Sequence, residues 1–255
     1  MDWTRELDTA RAAVALAGRY VLAEYAKFVP IPNAPASIST HVDREAQEII
    51  LRHLRAAFPA DGLVAEEATP TLADAPANAP RTWIVDPIDG TRGFAMKNGE
   101  FAVMVGLALG ETAVLGVVLE PTRNRVTYAA AGSGCFASVD GGEPTACRVS
   151  EVGDLTASTL VMSHAKPGRA NAVRTALGIP NAVETYSAGI KLAMVARGEV
   201  ELYANDYLDF YDWDICAGQV LVEAAGGTVT EFGGGPIRYG TRGQVERRGM
   251  IPSNG

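Results

Sequence analysis

Apolar residues near the start of the chain recur at helical spacing. Trp3, Leu7, Ala10, Val14, Val21 and Tyr25 fall near one face at separations of three, four or seven, which predicts an amphipathic helix packed on a core. Prolines at 30, 32 and 35 then rule out a helix, so a loop follows. A second stripe, Ala46, Ile49, Ile50, Leu54 and Ala57, predicts a second helix. Thr40 and Asp43 open it at capping-box spacing. Taken alone, Asp43 is accounted for as an acid in the first turn that complements the helix dipole.

The pattern next changes to strands. Gly62–Ala65 is a short apolar run, and Thr82–Val85 is a buried strand that runs directly into Asp86. Between them, residues 68 to 80 are rich in Ala, Pro and Thr and read as a mobile surface loop. Phe101–Leu109 and Ala113–Leu119, separated by Gly110, Glu111 and Thr112, predict a hairpin of long core strands packed by the first two helices. Val126–Ala130 adds a strand, and Gly132-Ser133-Gly134 marks a turn. Beyond residue 150, strands at 159–162, 182–185 and 200–203 alternate with helices at 169–177, 190–197 and 214–225. A sheet-dominated half over 1–150 and an alternating half over 151–255, joined in one compact unit, predict an α+β fold with an α/β back.

A chain of 255 residues buries a sizeable core as one large domain or two packed halves. The formal net charge of −8 repels nucleic acid polymers and anionic membranes, so neither is expected as a partner. The same charge repels an anionic substrate, so phosphate chemistry here needs local positive charge, of which bound metal ions are the usual source. Cys135, Cys147 and Cys216 are odd in number and form no CxxC, which argues against a disulfide framework or a zinc site. The acidic N-terminus does not resemble a signal peptide, and the longest apolar run, Phe101–Leu109, is far short of a membrane span. A cytoplasmic protein is therefore expected.

Asp86-Pro87-Ile88-Asp89-Gly90-Thr91 carries the most chemistry per residue. A strand delivers Asp86, and Pro87 is expected to force a turn that points Asp86 and Asp89 at one locus. The Ile88 carbonyl can add a neutral oxygen ligand. Backbone N–H groups at Gly90 and Thr91, at the start of a short helical stretch, suit a phosphate. Hard oxygen ligands of this kind suit Mg²⁺. A strand-end turn with a helix cap and no metal explains the same hexapeptide. Two further segments bear on that choice: Glu66-Glu67 after the Gly62–Ala65 strand, and Asp214 at the opening of a helix behind Trp213.

In order and spacing, Glu66-Glu67, Trp83-Ile-Val-Asp-Pro-Ile-Asp-Gly-Thr91 and Trp213-Asp-Ile-Cys-Ala-Gly218 with Gly226-Gly227 resemble the inositol monophosphatase superfamily of metal-dependent phosphatases, from about Ala36 to Gly255. The resemblance implies a layered α-β-α-β-α sandwich, lithium sensitivity, a homodimer and two or three Mg²⁺ ions per active site. By that resemblance Glu66, Asp86 and the Ile88 carbonyl hold one metal, and Asp86, Asp89 and Asp214 a second. Asp43 matches the acid that supports the active-site threonine, here Thr91, and Glu66 with the Asp43–Thr91 pair would orient a metal-activated water. The stretch Asn33–Thr40 lacks the Lys-x-Asp element of many relatives, which puts the third metal in doubt.

The substrate implied is a small phosphorylated metabolite. Ser187-Ala-Gly-Ile-Lys191 and Thr91-Arg92-Gly-Phe are similar to the 3′(2′),5′-bisphosphate nucleotidase branch, in which the lysine lies near a substrate phosphate. Ser163 and His164 fall where that branch carries a Ser/His element, and Arg92 is a further candidate contact. A solvated helix lysine and an ordinary loop histidine are the plainer readings of Lys191 and His164. Inositol 1-phosphate, histidinol phosphate and sugar bisphosphates stay open as substrates. A non-catalytic phospholigand-binding protein on the same fold would be expected to lack one of the carboxylates or Thr91, and all are present.

Overall fold

The structure, a computed structural model, describes residues 1–77, 79–164, 172–204, 210–239 and 250–255. Two long helices come first, α1 (Thr4–Lys27) and α2 (His41–Ala57). The first sheet follows. Its strands are β1 (Gly62–Ala65), β2 (Arg81–Asp89), β3 (Ala102–Leu109), β4 (Thr112–Glu120), β5 (Arg125–Ala130), β6 (Gly134–Val139) and β7 (Thr145–Cys147). They lie side by side in chain order, with β1 and β2 parallel and every later pair antiparallel. Two short helices interrupt it, α3 (Pro70–Ala73) and α4 (Thr91–Ala95). The second half contains β8 (Thr159–Met162), α5 (Ala172–Leu177), β9 (Asn181–Glu184), α6 (Ala188–Ala196), β10 (Leu202–Tyr203), α7 (Asp212–Ala224), β11 (Thr228–Glu231) and β12 (Met250–Ser253). Its five strands run in the order β11-β12-β10-β8-β9.

Periodicity explains the layering. Strand side chains alternate between faces. On the first sheet Val85, Val103, Val105, Leu107 and Val117 pack under α1 and α2 with Ala10, Val14, Val21, Ile50 and Leu54. The alternate residues Ile84, Met104 and Val118 face α6 and α7. At Gly116 a Cβ would come within 2.0 Å of the Ala217 carbonyl oxygen, so the absence of a side chain lets α7 lie directly on β4. On the second sheet Val161 faces α6 and α7, while Leu160 and Met162 meet Ile179 and Leu202 on the outer side. Ile179, in the segment between α5 and β9, packs on that outer side. The result is the alternation of helix and sheet layers expected from the sequence. No helix among the described residues is long and apolar enough to cross a membrane.

Several local expectations are corrected. Residues 68 to 80 do not form a loose loop throughout. They contain α3, whose Thr71 donates through N and Oγ1 to Glu48 on α2, both at 2.8 Å. Pro87 does not end β2, which continues to Asp89. The antiparallel edge at Asp86 carries a bulge instead, because Asp86 pairs with Met104 and Asp89 with Ala102, three steps on one strand against two on the other. Strands β6, β7, β11 and β12 had no prior counterpart in the sequence pattern. β7 and β11 are short strands at the edges of their sheets, and β6 and β12, inside them, are only partly buried. The helix expected at 169–177 is described only from Ala172.

Candidate active site

The bulge in β2 builds the centre of the site. In a regular strand residues three apart face opposite sides; the extra residue restores Asp86 and Asp89 to the same side. Asp214 arrives from the first turn of α7. It is the third helical residue, not the opening one, and its Oδ2 accepts from the Tyr211 N–H at 2.8 Å. Oxygen atoms of Asp86, Asp89 and Asp214 all lie within 4.8 Å of one another. Asp86 and Asp89 are buried.

Each carboxyl is held by local donors. Asp86 Oδ1 accepts from the Ile88 N–H at 3.0 Å. Asp89 reaches across to the start of α6, where its Oδ1 accepts from Ala188 N–H at 3.1 Å and its Oδ2 from Gly189 N–H at 2.6 Å and from the Ser187 hydroxyl. The first turn of α6 is thus capped by an acid from the other sheet, in addition to its own cap, Ser187 Oγ, which accepts from Ile190 N–H at 3.0 Å. Unpaired N–H groups at a helix start favour such an anion. Nothing in the local sequence around Asp89 signals this long-range contact.

Gly90 has to be glycine. Its φ is +86°, and a Cβ would lie 2.7 Å from the Glu100 carbonyl oxygen and 3.2 Å from Ser187 Cα. The chain passes through that gap into α4. There Thr91 Oγ1 lies 2.9 Å from Asp43 Oδ1 and 2.9 Å from the Ile88 carbonyl oxygen. One hydroxyl proton can serve one of them at a time. Asp43 is the third residue of α2 and closes its capping box: its Oδ2 accepts from Thr40 N–H at 2.9 Å and Thr40 Oγ1 at 2.6 Å. The dipole role of Asp43 and its link to Thr91 are therefore both present. Burial raises the Asp43 carboxyl above its usual range, against the lowering effect of its bonds to Thr40 and Thr91.

Glu66 follows β1. The residue as a whole is open to solvent, and the acids of the site crowd its carboxyl. Burial first, then the charges of Asp214 and Asp43, push it up to about 8. Burial and Asp89 push Asp214 up to about 7, and burial with Glu66 and Asp89 raises Asp86 well above the carboxylate range. The segment that carries Glu66 is fixed by Gln47, a buried α2 residue absent from the sequence-derived candidates. Gln47 Nε2 donates to the Glu67 carbonyl at 2.6 Å and to Thr69 Oγ1 at 2.9 Å, and its Oε1 accepts from Glu67 N–H at 2.8 Å. A glutamine beside Ala46, inside an apolar stripe, was the available signal.

Lys191 is not a solvated surface lysine. It is 1% exposed, with Nζ donating to Ser163 Oγ at 3.0 Å and to the Tyr186 carbonyl at 3.2 Å. Burial pushes its ammonium down to about 8, against the opposing charges of Asp89, Asp214 and Glu100. Its charge acts inside the wall, behind Ser163. His164 is held between two acids, with Nε2 2.7 Å from Glu100 Oε2 and Nδ1 3.2 Å from Glu184 Oε2. The ring centroids of His164 and Tyr186 are 4.3 Å apart, and the Arg92 guanidinium carbon lies 5.1 Å from the Tyr186 centroid. Arg92 Nε is buried without an acceptor among the described residues. Tyr186, unassigned from sequence, therefore links Arg92 and His164 directly beside the Asp89–Ser187 contact.

The donor set fits a hard divalent cation. The carboxylates of Asp86, Asp89 and Asp214 share one locus, Glu66 acts on it through its charge, and Lys191 brings a single positive charge to Asp89 and Asp214. Burial, and after it the mutual repulsion of these acids, raises Glu66, Asp86 and Asp214, and a cation would relieve the repulsion.

Comparison with known proteins agrees in extent. A family model described as "Inositol monophosphatase family" matches residues 3–252. A histidinol-phosphatase of Mycobacterium tuberculosis is 32% identical over 199 residues, covering 76% of this chain and 74% of that protein. A 3′(2′),5′-bisphosphate nucleotidase CysQ of Buchnera aphidicola is 28% identical over 246 residues, covering 95% and 91%. The solved inositol monophosphatase from Anabaena (Nostoc) sp. PCC 7120 superposes with a TM-score of 0.80 at 26% identity, over 100% of this chain and 92% of that one.

Proposed function

Because the chain belongs to the inositol monophosphatase family, whose members are phosphatases, we propose that it is a Mg²⁺-dependent phosphatase acting on nucleotide 3′(2′),5′-bisphosphates. Glu66, Asp86 and the Ile88 carbonyl would hold one ion, and Asp86, Asp89 and Asp214 another. Bound Mg²⁺ supplies Lewis-acid charge to the phosphoryl oxygens and lowers the pKa of coordinated water. The chain's own groups then orient and contain the reaction. Thr91 Oγ1, held by Asp43 Oδ1, would present lone pairs to the attacking water, with Glu66 as the second acceptor. Gly90 and Thr91 amides face the scissile phosphate. Asp89, fixed at the start of α6, keeps the two sheets in register around it.

The observation that carries the substrate choice is the wall formed by Arg92, Tyr186 and His164. A bisphosphate nucleotide brings an aromatic base and a second phosphate. Tyr186, partly exposed, offers aromatic surface for the base, and the partly exposed guanidinium of Arg92 offers a charge-assisted contact to the phosphate. An inositol ring has neither feature. Lys191, which donates to Ser163 Oγ, would be the further cation for a substrate phosphate beside this wall. The near full-length match to the Buchnera nucleotidase supports the same reading. Histidinol phosphate is the second reading, favoured by Glu100 and Glu184, which could receive its ammonium group.

Phosphate release over a panel decides between them. Adenosine 3′,5′-bisphosphate, inositol 1-phosphate, histidinol phosphate and fructose 1,6-bisphosphate are each assayed with Mg²⁺ and with EDTA. The highest kcat/KM is expected for the bisphosphate nucleotide, with loss of turnover in EDTA. A preference for histidinol phosphate would replace the nucleotidase reading, and turnover unaffected by EDTA would remove the metal.

A further inference from the structure

Cys135 and Cys147 stand directly opposite each other on antiparallel strands β6 and β7. Residues paired in this way put their side chains on the same face of the sheet. Neither cysteine lies among the groups assigned to the phosphatase site. Cys135 is buried, whereas Cys147 is partly accessible. Cys147 also has a charged setting. Arg197 caps the C-terminal end of α6, and Arg125 lies on β5; both bond Glu199 and Glu120. The hydrogen bond from Cys135, reinforced by these two guanidinium groups, holds the Cys147 thiol below its ordinary range. Donation to Cys147 and burial push Cys135 up. Cys147 is therefore the thiol suited to react first, and Cys135, by standing opposite it on β6, is placed to resolve the product.

The geometry points to a reversible disulfide between Cys135 and Cys147, formed by reaction of this pair with a hydroperoxide. The Cys147 thiolate attacks the peroxide oxygen; an S–O bond forms, the O–O bond breaks, and the released hydroxide takes a proton to become water. The Cys135 sulfur then attacks the sulfenic sulfur of Cys147, losing its proton as the second water leaves. Two thiols are oxidised by two electrons in all, and one peroxide is reduced to two waters. Opposed Cβ atoms sit about 4.5–5.5 Å apart, and a disulfide needs about 3.5–4.5 Å, so the strands must close by about 1 Å. β7 allows that, being three residues long and at the end of its sheet. The turn between the strands is built from Asp140 and Gly141, both at positive φ, and closes a short loop. Cys216, on α7 and buried against Gly106 of β3, is the internal control.

Full-length protein with Mg²⁺ is treated with one equivalent of hydrogen peroxide, alkylated, and digested with trypsin. Arg125 and Arg148 bound one peptide that carries both cysteines. That peptide is expected 2 Da lighter and unalkylated, restored by a dithiol reductant, with Cys216 still alkylated as in the untreated protein. Cys135→Ala should stop the reaction at a sulfenic acid on Cys147 that dimedone traps, and Cys147→Ser should leave Cys135 as unreactive as Cys216. Full alkylation of Cys135 and Cys147 after peroxide would overturn the proposal, as would oxidation that appears only as a link between chains. The wild-type peptide mass gives this answer even where a variant fails to fold.

Discussion

Replacing Gln47 with methionine tests how the Glu66 segment is held. Gln47→Met keeps the length of the side chain and removes its amide, leaving little room for water to substitute. The Glu67 N–H and carbonyl both lose their partner, while Thr69 keeps its neighbour Glu48. An unsatisfied buried polar group costs about 1–3 kcal/mol, and these are only partly buried, so the total is about 2–3 kcal/mol. For a chain of this size each kcal/mol lowers the melting temperature by about 2–4 °C, giving a loss of about 4–12 °C. Urea and thermal unfolding measure this directly, with an unchanged m-value expected. A second readout separates position from stability. Because Glu66 adjoins Glu67, the Mg²⁺ concentration giving half-maximal phosphate release should rise, with a smaller change in kcat at saturating Mg²⁺. A variant as stable as the parent, with the same Mg²⁺ requirement, would refute the reasoning.

Asp86→Asn removes one charge from a set of mutually repelling acids while keeping an oxygen for the Ile88 N–H. Metal-free Asp86→Asn should melt above the metal-free parent, gain nothing from Mg²⁺, and lose most phosphate release; near-normal turnover would contradict the assignment. In the metal-free parent, Glu66 at about 8 and Asp214 at about 7 keep protons that the unfolded chain has already lost. Stability from these groups is therefore full below the ordinary carboxylate range, falls as pH rises above that range, and is lost once pH passes about 7 to 8. Mg²⁺ competes with those protons, so its thermal stabilisation should be larger at pH 8 than at pH 6; equal shifts at both would sink this point. Gly90→Ala forces a Cβ against the Glu100 carbonyl at positive φ. It should destabilise the protein by about 1–3 kcal/mol and depress kcat, and a fully active, fully stable variant would show that the loop can yield.

The long elements were legible because their periodicity is strong. The α1 and α2 stripes, the Phe101–Leu119 hairpin and the capping box at Thr40 and Asp43 all follow from local pattern. The carboxylates at 86, 89 and 214 were legible from residue type and motif. Their mode of assembly was not. Pro87 suggests a turn, but the neighbouring strand β3 keeps β2 in the sheet and converts the extra residue into a bulge. Long-range partners leave no local trace, which is why the capping of α6 by Asp89 and the anchoring of Glu67 by Gln47 emerge only from the fold. Lys191 shows the limit most plainly. Its residue type argues for a surface or a ligand, and only the packing of α6 turns it into a buried cation behind Ser163.

The most direct measurement of the metal centre is anomalous scattering from crystals of the protein grown with Mn²⁺ in place of Mg²⁺. The account predicts a peak bounded by the carboxylates of Asp86, Asp89 and Asp214, and a second shared by Glu66, Asp86 and the Ile88 carbonyl. Manganese bound elsewhere, with these five groups free of metal in crystals that still hydrolyse a phosphate monoester, would contradict it.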